Sequence, residues 1–436
     1  MNIIHGFVFY LILAIVCEGA TLRSTTGNSS DVQATVNAAQ SGDTVVVPAG
    51  NFVWTNALVL SKSITLQGAG ADSTVVSRDS GITYQGELVS ISPSADVPVR
   101  VTGMRFNSVH VGGGYHRLPG VAIWGTSLGL TQIRIDNCYF DAGEDAVEWN
   151  LRAYGVVDSC TFHNCTYGVV AYADGDYDWS RPIVYGSSNA GYVEDCTFQF
   201  DSGMPGFDTV VDVNRGGRLV FRHCNFDLSA FPGYNFGSIW MTHGNQAFWT
   251  GNPSSDNTRA GLLLEVYNNN ITVNQGYRIT YLRGGRALVY NNSFTFLNSS
   301  PPIVTMTEEE GYDSRWFSTF RTAWPAEDQV NNSFFWGNTI NGRAQAASDF
   351  AMENSTDTIF FHEGRDYWLQ QPGSSTVTAY PHPGSPSSPN YPVNTYYAPV
   401  TSYTAFPYPH PLRSGANPPP NPTPNPPTNL RVAGSS

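Results

Sequence analysis

Asp195-Cys196-Thr197-Phe198 is the stretch whose reading decides the fold, because the chain keeps returning to it. The same phrase recurs as Asn137-Cys138-Tyr139-Phe140, Ser159-Cys160-Thr161-Phe162 and His223-Cys224-Asn225-Phe226. Looser copies stand at Gly103-Met104-Arg105-Phe106, Asn268-Asn269-Asn270-Ile271, Asn291-Asn292-Ser293-Phe294 and Gly337-Asn338-Thr339-Ile340. Aligned on their second position, the copies lie 34, 22, 36, 28, 45, 23 and 46 residues apart. Recurrence in this range marks one supersecondary unit stacked on copies of itself. The short intervals are one unit, and the longer ones hold inserted loops or a second unit.

The unit reads as strand, bend, strand, loop. Gln132-Ile133-Arg134-Ile135 and Leu219-Val220-Phe221-Arg222 set apolar residues beside polar ones, as strands do. The Asn, Asp or His that follows tolerates a left-handed bend. Beyond it the Cys and the Phe stand two apart, so both face inward. The expectation is an all-β parallel β-helix of roughly eight to ten coils between Val99 and Gly342. Its interior should hold a Cys ladder continued by Asn269, Asn292 and Asn338, with a Phe ladder beside it.

Residues 31–70 fix the start. Asp31 with Val32, Val36 and Ala39 reads as a short amphipathic helix capped at Ser30-Asp31. Gly42-Asp43-Thr44-Val45-Val46-Val47-Pro48-Ala49-Gly50 and Ile64-Thr65-Leu66-Gln67-Gly68-Ala69-Gly70 follow. This passage resembles the N-terminal cap and first coil of the right-handed β-helix, pectin-lyase-like superfamily. The resemblance implies a right-handed solenoid whose open end is plugged by the helix.

Ile3 to Val16 is a short apolar run followed by Cys17-Glu18-Gly19-Ala20, so residues 1–20 read as a secretory signal peptide. The β-helix domain is expected over residues 21–371. A Pro/Ser/Tyr-rich tail follows over 372–436, with Pro418 to Pro427 as a polyproline-type linker. The closing Pro427-Thr428-Asn429-Leu430-Arg431-Val432 resembles the opening of a fibronectin type III module. The formal charge of −13 and a pI near 5.0 argue against nucleic acid as a partner. No later stretch is long enough to insert in a membrane once the signal is cleaved. Cys138, Cys160, Cys196 and Cys224 hold one repeat position and read as a buried stack of thiols. With Cys165 they leave an odd count beyond Cys17, so at least one is free.

The densest polar cluster lies between Gly191 and Gly285. It holds Glu194, Asp212, Arg215, Arg218, Arg222, His243, Arg259, Glu265 and Arg283. Its Glu194-Asp195, Gly216-Gly217-Arg218, Arg222-His223 and His243-Gly244 resemble a series carried on successive coils of exported bacterial β-helix proteins. Register places Glu194 and Arg222 side by side on the outer surface, as a functional pair or as a surface ion pair. His243 sits in an aromatic-rich insertion with Trp240 and Trp249. It is a candidate general base over a sugar platform, or a histidine that holds the loop. Asp174, Asp176 and Asp178 have the opening spacing of a calcium loop without its Gly and closing Glu, so Ca²⁺ and a solvated loop are both open. Glu144, Asp145 and Glu148 offer paired carboxylates for hydrolysis.

The side of a solenoid suits a polymer better than a small molecule. The leading expectation is an exported polysaccharide-degrading enzyme, a lyase cleaving an acidic glycan by β-elimination. Arg218, Arg222 or Arg259 would offset the uronate carboxylate and His243 would take the proton. Asp212, Glu194 and Glu265 complete the catalytic candidates, with Arg215, Arg283, Trp240 and Trp249 as substrate-binding candidates. A non-catalytic glycan-binding surface protein and a carboxylate-based hydrolase are the alternatives.

Overall fold

The computed structural model describes residues 19–79, 86–108, 118–179, 184–204, 206–231, 236–245, 259–308, 328–359, 361–373 and 400–415. Among them run three long sheets, A, B and C, of 12, 11 and 10 strands. Each coil visits them in turn, as in Gly191–Glu194 (A), Thr197–Gln199 (B), Phe207–Asn214 (C) and then Arg218–Arg222 (A again). Neighbouring coils pair in parallel and in register. Among the described strands, the last turn of sheet B differs: Thr339–Ile340 pairs antiparallel with Arg343–Ala344 and closes that edge. Residues 1–18 of the signal peptide expected over 1–20, and the expected linker 418–427, lie outside the described residues. Among the described residues no helix is long and apolar enough to cross a membrane.

The repeat phrase is the bend from sheet A to sheet B. Gly103, Asn137, Ser159, Asp195, His223, Asn268, Asn291 and Gly337 all take φ between 52° and 67°. This is the left-handed region that Gly and Asn enter most readily. Both expected ladders are present. Phe106, Phe140, Phe162, Phe198 and Phe226 stack with ring centroids 5.4, 5.0, 4.5 and 4.4 Å apart. Cys138, Cys160, Cys196 and Cys224 are buried, free thiols. Where the ladder turns to Asn, each side chain satisfies the next. Asn269 Nδ2 donates to Asn292 Oδ1 and Asn292 Nδ2 to Asn338 Oδ1, both at 3.0 Å. Gln345 Oε1 ends the series by accepting from Asn338 Nδ2 at 2.7 Å.

At the other end, helix α1 (Ser29–Ala38) lays Val32 and Val36 on the first coil. It starts at Ser29 behind Asn28, whose side chain makes no capping bond, rather than at Ser30-Asp31. Thr26 Oγ1 donates to Asp31 instead. From the tail, residues 400–415 lie across the outer face of sheet A. Phe406 is buried there among Tyr192, Val220, Tyr267 and Tyr290.

Candidate functional site

The polar cluster divides by face. On sheet A, Glu194 and Arg222 are in register and bonded Nε to Oε2 at 3.1 Å, as alternation expects. They are not at the surface, for both side chains are 0% exposed. Arg222 also donates to the carbonyls of Phe406 (2.6 Å) and Pro407 (2.7 Å), and His410 N–H donates to Glu194 Oε1 at 2.9 Å. Glu265 accepts from Gly186 N–H and Tyr403 Oη, each at 2.8 Å. Burial raises the carboxyl pKa of both Glu194 and Glu265, against the pull of Arg222. These three residues anchor the C-terminal segment, and that segment covers them. The catalytic role expected of Glu194, Arg222 and Glu265 is therefore replaced by a structural one.

At the bends between sheets C and A, Arg152, Arg218 and Arg259 meet carboxylates. Arg152 pairs with Asp174 at 3.0 Å and Arg218 with Asp178 at 3.1 Å. Arg259 Nε donates to both oxygens of Asp328. Asp174 and Asp178 thus answer guanidinium groups rather than converge on Ca²⁺; the Asp176 side chain lies outside the described residues. No group of three or more His, Cys, Asp or Glu among the described residues is placed to hold a metal. Burial raises the Asp178 pKa, with Arg218 opposing it. Trp240 points into the core against Phe226, centroids 4.6 Å apart, and offers no surface to a sugar. Trp249 lies outside the described residues.

Sheet C carries what is left. Val211-Asp212-Val213-Asn214 alternates core and outer positions, so Asp212 and Asn214 face outward. Register extends their two rows across neighbouring coils. One row runs Glu148, Val170, Asp212, Met241, Tyr281. The other runs Asn150, Tyr172, Asn214. His243 and Arg283 continue that second row, held by His243 N–H to Val213 O (2.8 Å) and Arg283 N–H to Thr242 O (3.1 Å).

Here Asp212 meets His243. His243 Nδ1 lies 3.2 and 3.3 Å from the two oxygens of Asp212, whose side chain is 3% exposed against 16% for the histidine. Asn214 Nδ2 donates to Asp212 at 3.4 Å. With Nδ1–H on the carboxylate, Nε2 carries the lone pair, and no described residue bonds it. Arg283, one strand on, lies against Met241 Sδ at 3.2 Å. The arrangement supplies an oriented base beside a cation. Of the residues expected from sequence, Asp212, His243 and Arg283 come together, with Arg215 next to them. Tyr172 and Asn214 were missed, although the period of two from Asp212 and the coil register both point to them. Glu144, Asp145 and Glu148 are all buried.

No family model and no curated protein matches the sequence. Among solved structures the chain is similar to an alginate lyase from Paenibacillus sp. str. FPU-7, at 14% identity and a TM-score of 0.47, over 76% of this chain and 98% of that one. It is similar to the pectin methylesterase from carrot at 12% identity and a TM-score of 0.38, over 79% and 90%. The A-module of the Azotobacter vinelandii mannuronan C-5 epimerase AlgE4 is similar at 14% identity and a TM-score of 0.34, over 76% and 90%. In fold, the chain is a parallel β-helix built on three long sheets.

Proposed function

We propose that the chain is an exported enzyme that cleaves an acidic polysaccharide by β-elimination on the outer face of sheet C. The single observation that carries this reading is the His243–Asp212 contact, which leaves Nε2 as a base beside Arg283. A uronate bound there with its carboxylate on Arg283 has its α-proton acidified. His243 Nε2 takes that proton, the C–H electron pair forms the ring double bond, and the glycosidic oxygen leaves. The imidazolium returns the proton to the departing oxygen. Arg283 takes the neutralising role that sequence gave to Arg218, Arg222 or Arg259, because it stands one strand from His243 on the same face. The apolar run from Ile3 to Val16 supports export.

Purified protein is incubated with acidic polysaccharides while absorbance near about 235 nm, the unsaturated uronate band, is followed. A rise that is lost in His243→Ala, and falls roughly 10²- to 10⁴-fold in Asp212→Asn, is expected. Absence of any rise across the acidic glycans overturns the reading. A second reading rests on register. Glu148 and Asp212 share a row two strands apart, roughly 10 Å, near the separation of inverting hydrolases. New reducing ends without the absorbance, lost in Glu148→Gln, would favour it.

A further inference from the structure

Arg215 differs from most arginines around it. Arg152 pairs with Asp174, Arg218 with Asp178, Arg222 with Glu194, Arg259 with Asp328 and Arg278 with Glu353. The half-buried Arg215 guanidinium has no carboxylate among the described residues, and its buried Nε bonds nothing. The sequence offers 35 acidic residues against 22 basic ones, so a counter-ion was not scarce. A buried donor left unmade is costly, so its persistence calls for a reason.

Its position supplies one. Arg215 follows Asn214 at a left-handed bend, with φ of 49°. Its guanidinium carbon lies 5.4 Å from the centroid of the Tyr172 ring. Tyr172 is in register with Asn214, whose side chain is nearly buried and whose Oδ1 has no partner among the described residues. His243 lies one strand beyond Asn214 and Arg283 one strand beyond His243. Two cations therefore flank the base along the solenoid axis, about two strand spacings or ~10 Å apart. A planar guanidinium matches a carboxylate, and an aromatic face matches the apolar face of a sugar ring.

We propose that Arg215, with Tyr172 and Asn214, is a second carboxylate subsite, so that the site takes glycans with acidic sugars on both sides of the base. This rests on reading His243 and Arg283 as the reacting centre. The polymer lies along the solenoid axis, with one carboxylate on Arg283 where the proton is lost and another on Arg215. Neighbouring acidic units are then required for tight binding, and a chain whose acidic sugars are isolated by neutral ones engages only one cation.

The test is calorimetric binding of a short oligouronide and of its carboxyl-reduced counterpart, using the full chain carrying His243→Ala to prevent turnover. Adding Arg215→Gln should weaken the oligouronide roughly 10- to 100-fold and leave the reduced oligomer unaffected. Arg215→Lys should recover part of the loss. Arg343→Gln, which removes an equal charge from the far end of the solenoid, should change neither. Unchanged oligouronide affinity in Arg215→Gln overturns the subsite, as does a parent chain that binds no oligouronide. Unsaturated product from the wild type, with Arg215→Gln binding unchanged, sinks the subsite alone. Charge-dependent binding through Arg215 with no product from the wild type sinks the lyase reading and leaves the subsite standing.

Discussion

Replacing Arg222 by Met separates a structural from a catalytic role for the pair that sequence made most conspicuous. In the parent, Arg222 donates to Glu194 (3.1 Å), Tyr267 Oη (3.1 Å), Phe406 O (2.6 Å) and Pro407 O (2.7 Å). Met fills comparable volume and satisfies none of them. Glu194, 0% exposed, keeps the His410 N–H and Arg413 at 3.9 Å but loses the guanidinium bonded to it. Stripping one partner from a buried ion pair costs about 3–5 kcal/mol. Burial already raises the Glu194 pKa, so protonation relieves part of this penalty as pH falls, and the variant's deficit should shrink toward acid. Glu194→Gln added to Arg222→Met removes the stranded charge and should restore most of the stability, since an uncharged replacement of a buried pair is close to neutral. Urea unfolding followed by tryptophan fluorescence at neutral and mildly acidic pH gives all three values. Turnover per folded molecule should not change, because the pair lies on sheet A under residues 400–415. A single variant within about 1 kcal/mol of the parent, or a double variant no more stable than the single, refutes the reasoning. So does loss of turnover at unchanged stability.

Three further outcomes are expected. Asn292→Ala deletes the acceptor of Asn269 N–H (3.1 Å) and Nδ2 (3.0 Å) and the donor to Val266 O and Asn338 Oδ1; at roughly 1 kcal/mol per bond, urea unfolding should show a loss of about 3–5 kcal/mol. Burial lowers the His410 pKa to about 3. The unfolded imidazole therefore binds a proton before the folded one does, and stability present above about pH 6.5 is lost as pH falls toward 3, by up to roughly 4–5 kcal/mol. His410→Leu should flatten this acid limb in urea midpoints taken across the range; an equally steep limb would count against it. A thiol reagent should label none of Cys138, Cys160, Cys165, Cys196 and Cys224 in the folded protein and all five after unfolding, because every one is buried and free.

The fold was legible because its signal is internal and repeated. A left-handed bend followed by two inward side chains is a demand that each coil makes again, so Cys196 and Phe198 predict Cys160 and Phe162. Inward positions obey such a rule because the interior must be filled. Outward positions do not, and the errors fall there. Alternation turned Glu194 and Arg222 outward correctly, yet on this solenoid outward is not exposed. Residues 400–415 return from a great distance in sequence to bury them. No local pattern announces that contact, although Tyr403, Phe406 and His410 are the aromatic groups it needed. Trp240 was expected in an inserted loop, yet it lies in the sheet C strand Phe236–Thr242. Its partner Val211 faces the core, so Trp240 does too, while Met241 beside it faces out with Asp212.

The three outer faces, built on one backbone, separate the possible uses of the chain. On the middle coils of sheet A, residues 400–415 cover the face and bond Glu194, Arg222 and Glu265. Sheet B presents Asn225, Asn270 and Ser293 in register and exposed, a solvated face with neither a base nor an unpaired cation in that row. Among the described residues, sheet C alone brings an oriented imidazole, a buried carboxylate and an arginine lacking a carboxylate into adjacent coils. Reactive groups are expensive to hold near one another, and a solenoid that needed only to fold would pair them as it does elsewhere. Among the described residues Arg215 and His243 Nε2 escape pairing within two coils of each other, which is the reason for proposing chemistry on this face.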